Sequence, residues 1–188
     1  TGNPKDCEFG GVRRARISSQ CLKRAIRFSP VFAEITKVLV GDRTKWMTRP
    51  IKQKLMEAGK DEETAAAVAV AFVKNYAAGS DKSSPEKTNV LIYFSQAVIQ
   101  AIVDGLLANW TEAVAAASKG DTLPDLVKTL QKEPKDRTSA PDIALFGRML
   151  AEKPELNIDA ACQVAHAIST HRVTMEMDFY TAVDDLLA

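Results

Sequence analysis

The sequence predicts an α+β fold in which helices dominate, and three observations carry that prediction. From about Phe32 to Leu130 apolar residues recur at helical spacing. A Pro- and charge-rich stretch, Lys132 to Pro141, then interrupts the pattern as a linker. The flanks have another texture: Pro4 and Gly10-Gly11 break regular structure at the start, and β-compatible runs occur at Ile143 to Leu150 and Val164 to Val173. With 188 residues, 46% of them apolar, the chain is long enough to bury a core, and its 26% charged content argues against disorder. No uncharged apolar run approaches the roughly 18–20 residues a membrane span needs, so no membrane association is expected.

Residues 1 to 17 read as a loop with Phe9 as its apolar anchor. Ser18 is a good N-cap for a helix from Ser19 to about Phe28, which Ser29-Pro30 stops. On that helix Leu22, Ala25 and Ile26 share one face, and Gln20, Lys23, Arg24 and Arg27 share the other. Thr44 to Ala58 reads as a helix ended by Gly59, with Pro50 as a kink or break. Asp61 to Ala78 is apolar around more than one face and should be buried. Gly79 to Lys87 reads as a polar loop and Val90 to Phe94 as a short strand, with Ser95 capping a single long helix from Gln96 to Ser118 that Gly120 stops. Thr122, with Asp125 three residues on, caps a further short helix. Asp159 to Ala167 suits helix as well as strand, and no internal repeat is visible.

The net charge of +1 conceals an asymmetry. Residues 1 to 30 hold Lys5, Arg13, Arg14, Arg16, Lys23, Arg24 and Arg27 against only Asp6 and Glu8. The remainder is net acidic, which fits a helical part that does not itself hold nucleic acid. The cationic run leads into a helix N-terminus, where unpaired amides and the positive end of the dipole favour anions. Ser18 and Ser19 add hydroxyls there, and Gly10-Gly11 permits close backbone approach. Such a surface could grip successive phosphates of a single strand; it could equally be a capped, solvated helix. Neither a Walker loop nor a dinucleotide fingerprint occurs.

Other chemistry-bearing residues form weaker patterns. His166 and His171, five apart, suit neither one helix face nor a zinc-protease motif, and read as packed or hydrogen-bonded imidazoles rather than a ribonuclease pair. Asp178, Asp184 and Asp185 read as solvated or capping carboxylates, with a divalent-metal site as the alternative. Cys7, Cys21 and Cys162 show no metal-binding spacing and read as free, mostly buried thiols in a reducing cytoplasm. No cofactor, bound metal or catalytic residue is expected.

The run Thr1-Gly-Asn-Pro-Lys5-Asp-Cys-Glu-Phe9-Gly10-Gly11-Val-Arg13-Arg14-Ala-Arg16-Ile-Ser18-Ser19-Gln20-Cys-Leu-Lys23-Arg24 resembles the N-terminal signature of the backbone subunit of the type I-E CRISPR surveillance complex, the CasC-type subunit of Cascade. Two further blocks resemble that family in the same order: Asp142-Ile-Ala-Leu-Phe-Gly147-Arg148-Met149, and Ala165-His166-Ala-Ile-Ser169-Thr170-His171-Arg172-Val, continuing into Asp178 to Leu186. The resemblance covers nearly all of this chain and about the front half of a family member.

The resemblance implies a discontinuous, incomplete RNA-recognition-type palm from residues 1–35 and 138–188, with a helical fingers insertion at 36–137. It implies a non-catalytic subunit that polymerises with copies of itself along CRISPR guide RNA beside other Cascade subunits, and presents the guide for pairing with target DNA. Carried over by residue, Lys5, Ser18, Ser19, Gln20, Lys23, Arg24 and Arg27 would contact guide phosphates. Arg13, Arg14 and Arg16 would support the groove electrostatically, and Met149 would lie against bases near a kink in the RNA. The alternatives are a metal-dependent endoribonuclease using Asp184 or Asp185, and a module whose helical middle docks other subunits.

Overall fold

A computed structural model describes residues 5–37, 40–77, 79–81, 84–120, 140–151 and 153–174. The chain forms two compact units, residues 1–26 with 164–188 and residues 27–163.

In the first unit the segment expected to be a loop is an antiparallel hairpin, β1 (Asp6–Phe9) and β2 (Val12–Ile17). Gly10 and Gly11 form its two-residue turn with φ of 66° and 72°. Two consecutive positive φ values match the right-handed twist of the strands, and only glycine takes them without strain. The dipeptide that marks a break is therefore the turn of a sheet. A third strand, β7 (Ala167–Ile168), pairs with Arg16 and Ile17, giving the order β1-β2-β7. Helix α1 (Ser19–Arg27) follows β2, with Ser18 Oγ accepting the Cys21 amide at 3.3 Å as the cap reading requires.

In the second unit, Ser29-Pro30 ends α1 but also opens α2 (Pro30–Thr36), because proline suits the first helical position. Strand β3 (Asp42–Thr44) pairs with β6 (Ile92–Phe94). That pairing removes the first turn of the helix expected from Thr44, so α3 spans Thr48–Glu57. Pro50 falls in its first turn, where its missing N–H breaks no ladder, and no kink results. Helix α4 (Glu62–Tyr76) is capped by Asp61, which accepts the Thr64 amide at 2.9 Å. The expected polar loop contains a hairpin, β4 (Ser80–Asp81) and β5 (Ser84–Thr88).

Ser95 caps α5 (Gln96–Ala108) as expected. The long helix breaks at Asn109, whose side-chain amide donates to the Gly105 carbonyl, and resumes as α6 (Trp110–Lys119) with Gly120 left-handed at its end. A short polar side chain bonding nearby backbone competes with the helical ladder. The run from Ile143, read as β-compatible, is helical in α7 (Pro141–Phe146); beyond it only Arg148 forms a bridge, with Ile158. No helix forms between 159 and 167. The helix expected after Thr122 lies outside the described residues, as does nearly all of the linker.

The apolar core lies in the second unit. Ile51 and Leu55 of α3, Val68 and Phe72 of α4, Ile92 and Phe94 of β6, and Ile99, Ile102 and Leu106 of α5 are fully buried. Phe72 stacks on Tyr76 with centroids 5.5 Å apart. Among the described residues no helix is long and apolar enough to cross a membrane.

Candidate nucleic-acid interface

The cationic run divides according to the period of a strand. On β2 successive side chains alternate, so Arg13 is exposed on one face while Arg14 and Arg16 are half-buried on the other. Arg13 pairs with Asp6 and stands opposite Glu8 in register. Arg14 clamps the hairpin: its Nε donates to the Phe9 carbonyl at 2.9 Å, and Nη1 donates to the carbonyls of Ser169 and Thr170 at 3.0 and 2.6 Å. Its acceptors are neutral carbonyls, and among the described residues it has no ion pair. Arg16 Nε is buried and has no hydrogen-bond partner among the described residues. It borders a hollow of about 240 Å³ shared with Ile17, Ile168 and Ser169. Lys5 is exposed.

Helix α1 has no fully buried residue. Ser19, Gln20, Lys23 and Arg24 are half or fully exposed along it, whereas Ser18 is buried and occupied by its cap. The Ser19 amide donates to His166 Nδ1 at 3.3 Å, so that imidazole closes the helix start. His171 is exposed, and its carbonyl accepts the Ser169 hydroxyl. Among the described residues no group of three or more His, Cys, Asp or Glu side chains could hold a metal ion, and Asp178, Asp184 and Asp185 lie outside them. Cys7 is half-buried, but Cys21 and Cys162 are exposed, contrary to the expectation of mostly buried thiols.

Arg27 is placed differently. Only 10% of its side chain is exposed, and its Nε donates to Asp142 Oδ2 at 2.7 Å while Nη2 donates to the Gly41 carbonyl at 2.8 Å. Asp142, wholly buried, also accepts the Gly41 amide and the Tyr93 hydroxyl. Gly41 must be glycine, because a Cβ there would come within 2.9 Å of Tyr93 and Ile143 side-chain atoms. Burial, then the Asp142 carboxylate, pushes the Tyr93 phenol well above its ordinary range. The Arg27 guanidinium also stacks on the Tyr93 ring at 4.3 Å. In the same unit, Arg148 donates to the Leu156 and Tyr93 carbonyls, burial lowers its pKa, and neighbouring Met149 is 84% exposed. An apolar side chain so open to water is available to stack on a ligand.

One cation of the first unit was given no role in the sequence reading. Arg172 joins Arg13, Asp6 and Glu8 around a hollow of about 700 Å³. The Val173 amide donates to the Arg13 carbonyl at 3.0 Å, which brings this late segment beside β2. Only that long-range pairing identifies it.

The family model described as CT1975-like protein matches residues 1–188. The chain belongs to the CT1975-like family. None of the curated proteins matches it. Among solved structures, this CT1975-like chain is 32% identical to a chain of a "CRISPR RNA-guided surveillance complex, pre-nicking", with a TM-score of 0.69 over 98% of this chain and 51% of that one. A chain of a "CRISPR RNA-guided surveillance complex" is 29% identical, with a TM-score of 0.65 over 91% and 53%. The chain thus spans about half the length of the solved chains it matches. The α+β class and the likeness to a CRISPR surveillance-complex protein, both expected from sequence, hold.

Proposed function

We propose that this chain is a non-catalytic, guide-RNA-binding backbone subunit of a type I-E CRISPR surveillance complex, which holds the guide by its phosphates and presents it to target DNA beside copies of itself and other subunits. The single observation that carries the reading is the 32% identity to a chain of an RNA-guided surveillance complex across 98% of this sequence. The cationic hairpin and α1 supply the chemistry. Lys5, Ser19, Gln20, Lys23 and Arg24 contact phosphates; Arg13, Arg14 and Arg16 supply positive potential, and Arg16 Nε, without a partner among the described residues, is a donor for a phosphate oxygen. Ser18 and Arg27 are engaged within the protein instead, one capping α1 and the other fixed to Asp142. Met149, on the second unit, lies against bases.

The test is oligoribonucleotide binding across a salt series. Replacing Lys23 and Arg24 by Ala should weaken binding for every sequence alike and reduce the magnitude of the log–log salt slope by about 1.4, at roughly 0.7 per single-strand phosphate contact. An unchanged slope removes direct phosphate contact by α1. Cleavage of the RNA in magnesium that disappears in Asp184→Asn would replace the non-catalytic reading with a nuclease.

A further inference from the structure

Two cations of the second unit rest on one indole. The Arg49 guanidinium lies 3.7 Å from the Trp46 ring centroid and the Lys87 ammonium 4.7 Å from it. They arrive from different elements: Trp46 precedes α3, Arg49 stands in its first turn, and Lys87 lies on β5. The polar β4–β5 hairpin is held there by the Thr88 amide and hydroxyl, which donate to the Lys45 carbonyl, and by the Thr48 hydroxyl, which donates to the Glu86 carbonyl. Bringing like charges together opposes folding unless something else gains from it. Neighbouring cations are neutralised, Lys45 by Asp81 and Lys52 by Glu62. Arg49 and Lys87 have no carboxylate partner among the described residues.

We propose that Arg49 and Lys87, held on the Trp46 ring, form a second phosphodiester-binding site on the helical unit, separate from the α1 surface. The aromatic ring holds the two charges at a separation of no more than about 8.4 Å, the limit set by their distances to its centroid, and spares them the entropy of free side chains. Guanidinium edge donors match phosphate oxygens, and an ammonium held on the same ring adds a point charge. Arg49 also borders a cleft of about 130 Å³ with Lys52, floored by Ala66, Ala69 and Val70; Glu86 on its wall is the carboxylate a bound phosphate must avoid. The choice of nucleic acid as the polyanion rests on the function proposed above; the paired cations stand without it. The acidic balance beyond residue 30 therefore conceals a local basic site.

Trp46 is its own reporter, since the chain has two tryptophans. In a Trp110→Phe chain, titration with oligouridylate or oligothymidylate should change Trp46 emission, and whichever responds names the strand type. In Arg49→Gln/Lys87→Gln the affinity read at Trp46 should fall about tenfold and the salt slope by about 1.4. The Lys23→Ala/Arg24→Ala chain should keep the Trp46 response, so failure of α1 binding and failure of this site are read separately. The indole N–H resonances of the unaltered chain give the same readout should Trp110→Phe not fold. No response to either strand, an equal response to polyglutamate, persistence in the Arg49→Gln/Lys87→Gln chain, or loss in the α1 variant would overturn the proposal.

Discussion

Asp142 shows how much one buried carboxylate organises. It accepts from Arg27, Gly41 and Tyr93, which come from the end of α1, the approach to β3, and β6. Removing one partner of a buried ion pair leaves an uncompensated charge, so Asp142→Ala should destabilise the second unit by about 3–5 kcal/mol in urea unfolding. Tyr93→Phe leaves the pair intact and should cost about 1 kcal/mol. The phenol supplies a pH signature as well. Its folded pKa lies above the ordinary 10.0, so the unfolded chain releases the proton first as pH rises. The Tyr93 contribution is therefore complete below about pH 10 and declines above it, and Tyr93→Phe should remove that part of the alkaline loss. Unfolding midpoints from pH 8 to 11 would check the sign. Helical spacing alone placed Arg27 with Gln20, Lys23 and Arg24; its partner lies 115 residues away, and no local pattern reveals it.

Elements differ in how much of themselves the sequence displays. Caps are legible because they are local: Asp61, Ser95 and Gly120 act where their residue types predict. The short strands are not. β4 and β5 are polar, with neither an apolar alternation nor a glycine turn, and pairing through backbone groups leaves no side-chain signal. The first hairpin had its signal, Gly10-Gly11, but lacked the alternating apolar flanks that make such a pair read as a turn. Gly11→Val would force a left-handed residue to carry a branched Cβ, at about 1–2 kcal/mol. Faster amide exchange at Ala15 and Arg16, without change in α4, is the expected outcome.

At the scale of the molecule, the buried apolar side chains among the described residues all belong to the second unit. The first is held by strand pairing, the Arg14 clamp and caps. Phe72→Ala should cost about 3–5 kcal/mol and lower the unfolding midpoint of the second unit. Hydrogen exchange should find the deepest protection in α4 and α5 and the shallowest in β7 and α1, because stability follows buried apolar contact.

Helical periodicity, capping residues and the cationic run are properties of neighbours in the chain, and the sequence by itself determined them, together with the likeness to a chain of a CRISPR surveillance complex. Tertiary structure decided which cations meet water. Strand alternation separated Arg13 from Arg14 and Arg16, the distant Asp142 drew Arg27 inward, and a polar hairpin carried Lys87 to the indole that Arg49 already covers. The reason is physical: a charge is positioned by whatever neutralises or solvates it, and those partners are assembled only when remote segments pack.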